Sequence, residues 1–160
     1  MDVSIIIVNY NTCDLLKQCI QSIITNTREV VYEIIVIDND SHDESCQMLK
    51  NDFPTVKLIR SNINLGFGKA NNLGIKQASG KYLFFLNSDT ILCNNAIKNF
   101  FEFSISYTDK LGATGTILKD NNGNNIHSYG KFITIKSELK NVLTKYSKIF
   151  GVKNNTDYLY

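Results

Sequence analysis

The stretch "FFLNSDT", residues 84–90, carries an apolar run straight into Asn87, Ser88 and Asp89. A carboxylate beside a buried strand is costly unless it is hydrogen-bonded, caps a turn or binds a cation. Hard divalent ions take oxygen ligands and suit a phosphate-bearing substrate, so a cation at Asp89 would mark a site for such a molecule. Turn capping by Asp89 is the competing structural reading. Three more polar groups follow apolar runs in the same way: Tyr10 and Asn11 after "SIIIVN", Asp38–Asp40 after "YEIIVI", and Asn62–Gly66 after "VKLIR". Gly66 and Gly68 let the backbone pass close to a ligand, or simply make a tight turn before a helix. No GxGxxG follows the first apolar run and no GxxxxGK[ST] occurs, which removes the main support for a dinucleotide or P-loop site.

These groups need a scaffold that brings them together. Ser4 to Val8 is a continuous β-branched run, as expected of a strand covered on both faces. Leu15, Cys19 and Ile23, flanked by Leu16, Ile20 and Ile24, make an apolar helix stripe with Asn11 or Thr12 as cap. "YEIIVID" is a second strand, and Ser41 with Glu44 offers a capping box for a helix that Pro54 closes. "VKLIR" is a third strand, "KANNLGIKQA" a helix ended by Gly80, and "YLFFL" a fourth strand. Asn94 or Asn95 caps a helix bearing Ile97, Phe100, Phe101 and Ile105, "GATGTIL" is a further strand and "KDNNGN" a turn. Leu139, Val142, Leu143, Tyr146, Ile149 and Phe150 line a last helix whose other side carries Lys140, Lys145 and Lys148. That helix either covers the sheet or lies on an anionic membrane.

Alternating strands and helices imply right-handed crossovers and a mostly parallel α/β sheet with helices on both faces. In such sheets ligands bind beyond the carboxyl ends of the strands. The four polar groups are therefore expected at one rim.

Composition narrows the partners. A chain of 160 residues with 43% hydrophobic content suits one domain with a substantial core. A net charge of +2, with 20% charged residues, lacks the basic excess of a nucleic-acid binder. Cys13, Cys19, Cys46 and Cys93 form no CxxC pair, so a zinc site or disulfide framework is not expected, and they read as small core residues of a cytoplasmic protein. "SIIIV" is shorter than a signal core or a membrane span of roughly 20 residues, so no exporting or anchoring segment is expected.

The blocks "SIIIVNYN", "EIIVIDNDSHDES" and "NLGFGKANNLGIKQASGKYLFFLNSDT" together resemble the successive signatures of family 2 glycosyltransferases, in their rhamnosyltransferase-like branch, from residue 3 to about residue 92. The resemblance implies a GT-A fold, a nucleotide-diphosphate sugar donor, a divalent metal such as manganese or magnesium, usually inversion at the anomeric carbon, and a glycan or lipid-linked acceptor in surface polysaccharide synthesis. It puts Val8, Tyr10 and Asn11 along the nucleoside, Tyr10 against the base, and Asp38 with Asn39 beside the base or ribose. It puts Asn64, Gly66 and Phe67 on the diphosphate side, with Asn72 and either Lys69 or Asn71 on the helix opening towards it. Asn87-Ser88-Asp89 stands where the family has its DxD motif, Ser88 facing the nucleotide sugar and Asp89, with help from Asn87, the metal.

The chain departs from the family in two respects. Only one carboxylate remains in the triplet, so the metal would rely on the donor's own oxygens. The acidic "ED" block that supplies the family's catalytic base has no match, since Asp120, Glu138 and Asp157 lie in other contexts. The expected organisation is a nucleotide-sugar-binding core over 1–118 and the start of an acceptor region over 119–160. Such a chain is the donor half of an enzyme, or an inactive nucleotide-sugar-binding module completed by a second chain. The expected location is cytoplasmic, with the lysine-faced segment available for contact with the inner face of the cell membrane. His127 is assigned no role.

Overall fold

The computed structural model describes residues 1–107, 111–120 and 122–126. One compact unit spans Met1–Thr114 and a second begins at Gly115. In the first unit the elements run β1 (Val3–Asn9), α1 (Cys13–Asn26), β2 (Tyr32–Asn39), α2 (Ser45–Asp52), β3 (Lys57–Ser61), α3 (Phe67–Ile75), β4 (Tyr82–Asn87) and α4 (Ala96–Ser106). The four strands form one parallel sheet in the order β3-β2-β1-β4. β1 is central, with Val8 level with Ile37 on one side and Asn87 on the other, and Asn9 level with Asp38.

Alternation along the strands divides the core between two layers. Ile5 and Ile7 of β1, Ile34 and Val36 of β2 and Leu86 of β4 pack with Leu16, Cys19, Ile20 and Ile23 of α1, Leu49 of α2 and Ile97 of α4. Ile6, Ile35 and Ile37 face the other way, onto Ala70 of α3. A Cβ on Gly74 would stand 2.7 Å from Ile37 Cδ1 and from Ile6 Cγ2, so α3 lies close to the sheet because that position has no side chain. α3 does not extend over β4, where Leu83 and Phe85 are 40% and 49% exposed.

Several local expectations change. Leu15 and Ile24 of the α1 stripe are half exposed, because the sheet contacts only a narrow face of the helix, and Ile105 of α4 is exposed as well. None of the helices α1 to α4 has a hydrogen bond from its N-cap side chain. Glu44, the partner expected for Ser41 in a capping box, is itself the N-cap of α2. α3 begins and ends earlier than the expected 69–78. Of the four free cysteines only Cys19 is buried, and Cys93 is exposed. "GATGTIL" is a strand only at its end: β5 (Leu118–Lys119) pairs antiparallel with β6 (Asn125–Ile126). The turn between them is held by the Asp120 carboxylate, which accepts from the Asn122 and Asn124 amides. His127, Glu138, Asp157 and the lysine-faced helix fall outside the described residues.

Candidate functional site

At the carboxyl ends of β1, β2 and β4 the sheet opens into a cleft of about 380 Å³. β1 and its loop supply Val8, Tyr10 and Thr12, and the first turn of α1 adds Leu15. β2 supplies Asn39, the β3 loop and α3 supply Asn64 and Phe67, and the end of β4 supplies Asn87, Ser88 and Asp89. Tyr10 and Phe67 are 47% and 60% exposed, so two aromatic rings stand open to solvent at the rim.

Not every expected residue reaches that wall. Asp38 is 1% exposed and lies off it, its oxygens engaged by Asn9 Nδ2 at 3.2 Å and by the Ser41 amide at 3.3 Å. Asn11 also lies off the wall, in the left-handed region at φ 54°, where its amide donates to Ser41 Oγ and its Oδ1 accepts from the His42 amide. It joins the first loop to the second. Gly66 is the N-cap of α3 at φ 76° and ψ 159°, a conformation essentially confined to glycine. Lys69 and Asn72 are exposed on α3 outside the wall, and buried Asn71 donates to the Phe67 carbonyl.

Thr12 and Leu15, expected as helix cap and helix stripe, line the cleft, and Asn9, expected in no site role, stands just behind it. Asn9 is fully buried between β2 and β4. Its Nδ2 also donates to Ser41 Oγ, and its Oδ1 accepts from the Thr12 hydroxyl at 2.7 Å. Thr12 Oγ1 in turn lies 2.9 Å from Ser88 Oγ. The signal was a polar residue still in register with an apolar strand. Across the cleft, Asn39 Nδ2 donates to Asn64 Oδ1, which also accepts from the Gly66 amide, while Asn39 Oδ1 accepts from the Leu65 amide. Polar groups at the strand ends are thus satisfied by one another, which fixes the loops.

The profile of Glycosyl transferase family 2 matches residues 4–156. The chain belongs to that family. Its relatives include the poly(ribitol-phosphate) beta-glucosyltransferase of Bacillus spizizenii, 35% identical over 109 residues, which cover 65% of this chain and 17% of that protein. The poly(ribitol-phosphate) beta-N-acetylglucosaminyltransferase TarP of Staphylococcus aureus is 30% identical over 63% of this chain and 32% of its own. Among solved structures, S. aureus TarS 1-349 in complex with UDP superposes with a TM-score of 0.60 at 25% identity, covering 66% of this chain and 32% of that one. The same protein in complex with UDP-GlcNAc gives the same values. This family 2 chain therefore has the GT-A fold and spans about a third or less of the length of these proteins.

Among the described residues no group of three or more His, Cys, Asp or Glu side chains could enclose a metal by itself. Asp89 and Asn87, two residues with side-chain oxygens, both line the cleft. Two oxygen donors on an open wall fit a hard ion that takes its remaining ligands from a bound diphosphate and water. Beneath them, the Cys19 thiol donates to the Asn87 carbonyl at 3.6 Å. Burial first, then the negative charge of Asp89, pushes that thiol up to about 12, so it stays protonated and takes no part as a thiolate.

Proposed function

We propose that this chain is the donor-binding part of a glycosyltransferase that transfers sugar from a nucleotide-diphosphate sugar, with a uridine nucleotide as donor, to a glycan or polyol-phosphate acceptor in surface polysaccharide synthesis. One observation carries the proposal: strand ends and the loops beyond them bring two open aromatic rings, the amides of Asn39 and Asn64, and the Asn87–Asp89 triplet to a single cleft. The TarS complexes support the choice of base, and the names of the teichoic-acid relatives support the class of acceptor.

In this reading Tyr10 stacks on the base, Val8 and Asn39 flank the nucleoside, and Asn64, Gly66 and Phe67 shape the diphosphate side. Asp38, buried behind Asn39, acts by holding Asn9 and Ser41 in place. Asn11 fixes the loop that carries Tyr10, and Asn72 lies further along α3. Asp89 and Asn87 would hold a manganese or magnesium ion, which when bound neutralises charge on the departing diphosphate. The work is done on the cytoplasmic side, where nucleotide sugars are made. Among the described residues no helix is long and apolar enough to cross a membrane.

The deciding experiment titrates the chain calorimetrically with UDP, GDP and dTDP, each with and without manganese. Tightest binding of UDP, strengthened by the metal, is the expected result, and Asp89→Ala should lose the metal-dependent part while retaining the rest. No binding of any nucleotide would sink the proposal. Hydrolysis of a UDP-sugar by the same sample, or its absence, then separates an active enzyme from a binding module.

A further inference from the structure

The hydrogen bonds between the strand ends can run in only one direction. Asn9 Nδ2 donates a hydrogen bond to Asp38 Oδ1 at 3.2 Å. That settles the Asn9 amide: its nitrogen faces Asp38 and Ser41, and its oxygen faces Thr12. An amide oxygen only accepts, so the 2.7 Å contact between Thr12 Oγ1 and Asn9 Oδ1 uses the threonine proton. A hydroxyl has just one proton. The 2.9 Å contact between Thr12 Oγ1 and Ser88 Oγ must therefore be carried by the proton of the serine. Ser88 lines the cleft and is left with lone pairs to offer it.

We propose that Asn9 and Thr12 are positioning residues that hold Ser88 as an obligate acceptor beside Asp89. Buried Asp38 starts the relay and Ser88 ends it, so a carboxylate with almost no access to the cleft sets the polarity of a hydroxyl in its wall. The group that meets Ser88 must then be electropositive. Two parts of a metal-bound nucleoside diphosphate qualify, the divalent cation and a ribose hydroxyl proton, whereas a bare phosphate oxygen would be repelled. The inference rests on the donor site proposed above.

Thr12→Val keeps the shape of the side chain and removes the link, leaving the Ser88 hydroxyl free to rotate and donate. Three probes are titrated against the unaltered chain, Thr12→Val, Thr12→Ser and Ser88→Ala: UDP alone, UDP with manganese, and 2′,3′-dideoxy-UDP. If Ser88 meets the cation, the strengthening of UDP binding by manganese falls about tenfold in Thr12→Val and Ser88→Ala. If it meets the ribose, the preference for UDP over the dideoxy nucleotide falls instead. Thr12→Ser should restore whichever is lost. Both ratios unchanged in Thr12→Val, while the unaltered chain binds, would overturn the inference and leave the donor reading standing.

A second measurement needs no ligand. Urea unfolding of Thr12→Val, Ser88→Ala and the double variant forms a cycle, in which the double variant should unfold at nearly the same urea concentration as the less stable single variant. Strictly additive shifts would mean that the relay does not exist. A chain that binds no nucleotide removes the donor reading, and this cycle then decides the relay by itself.

Discussion

Tyr10 is half exposed in a structure that buries nearly all of β1 just before it. Such a ring contributes little to folding and is available to a base. Tyr10→Ala should weaken UDP binding by roughly 1–3 kcal/mol, the range for base–aromatic stacking, while Tyr10→Phe changes it little and neither alters the urea midpoint appreciably. Calorimetry on the three proteins checks both halves of that statement. Cys19 gives a second test at this scale, since its thiol is pushed up to about 12 chiefly by burial and secondarily by Asp89. At pH 8 the native chain should therefore resist iodoacetamide at Cys19 while exposed Cys93 reacts. Asp89→Asn should leave Cys19 protected, because the larger cause remains; peptide mapping reads the outcome. Polar groups after the strands put Tyr10, Asn39, Asn64 and the triplet at one rim, and the family resemblance added Val8 and Phe67. The sequence could not separate Asp38 from Asn39: both are buried, but neighbouring strand residues face opposite ways, and Asn39 lines the cleft while Asp38 turns to Asn9 and Ser41.

The helices illustrate what a linear reading misses. Thr12 stands at the start of α1, yet its hydroxyl serves Asn9, and the amide of Cys13 is taken by Asp43 from the following loop. Asp43 also accepts from the Ser45 amide at the start of α2, so one side chain serves two helix starts. A capping rule looks for partners within three residues and has no means of finding one 30 residues away. Asp43→Ala should cost about 1–2 kcal/mol, as the loss of a cap does, measured by urea unfolding at pH 7. Burial acts to raise the Asp43 carboxyl, but hydrogen bonds from Ser45 and the Cys13 amide outweigh it and leave it below the ordinary value. A group depressed on folding stabilises above its unfolded value of about 3.9 and loses that contribution as the pH falls through its folded value. The gap between the native chain and Asp43→Ala should accordingly be full at pH 6 and close below about pH 3.9. Gly66 tests the loop before α3: Gly66→Ala meets no atom within 4 Å but must adopt φ 76°, ψ 159°. A loss of about 1–3 kcal/mol is expected from strain alone.

The fold class was legible because buried parallel strands are written as unbroken β-branched runs and their crossovers as amphipathic helices. How far each layer extends was not. "YLFFL" looks uniformly buried, but the α3 layer packs on β1, β2 and Ile59 of β3, leaving Leu83 and Phe85 of β4 exposed. In this chain Phe85→Ser should therefore cost less than about 1 kcal/mol, whereas Leu86→Ala, on the covered face, should cost 2–4 kcal/mol. Comparable losses from the two would show that the open face is covered in solution. β1 lies between β2 and β4 and is paired with both over almost its whole length, all in the same direction. A load applied at Met1 along that strand cannot open the sheet one bond at a time, as a zip opens. It has to shear both flanking ladders together, so β1 is the mechanical clamp of the unit, and the rim beyond its far end is the last place to feel the pull.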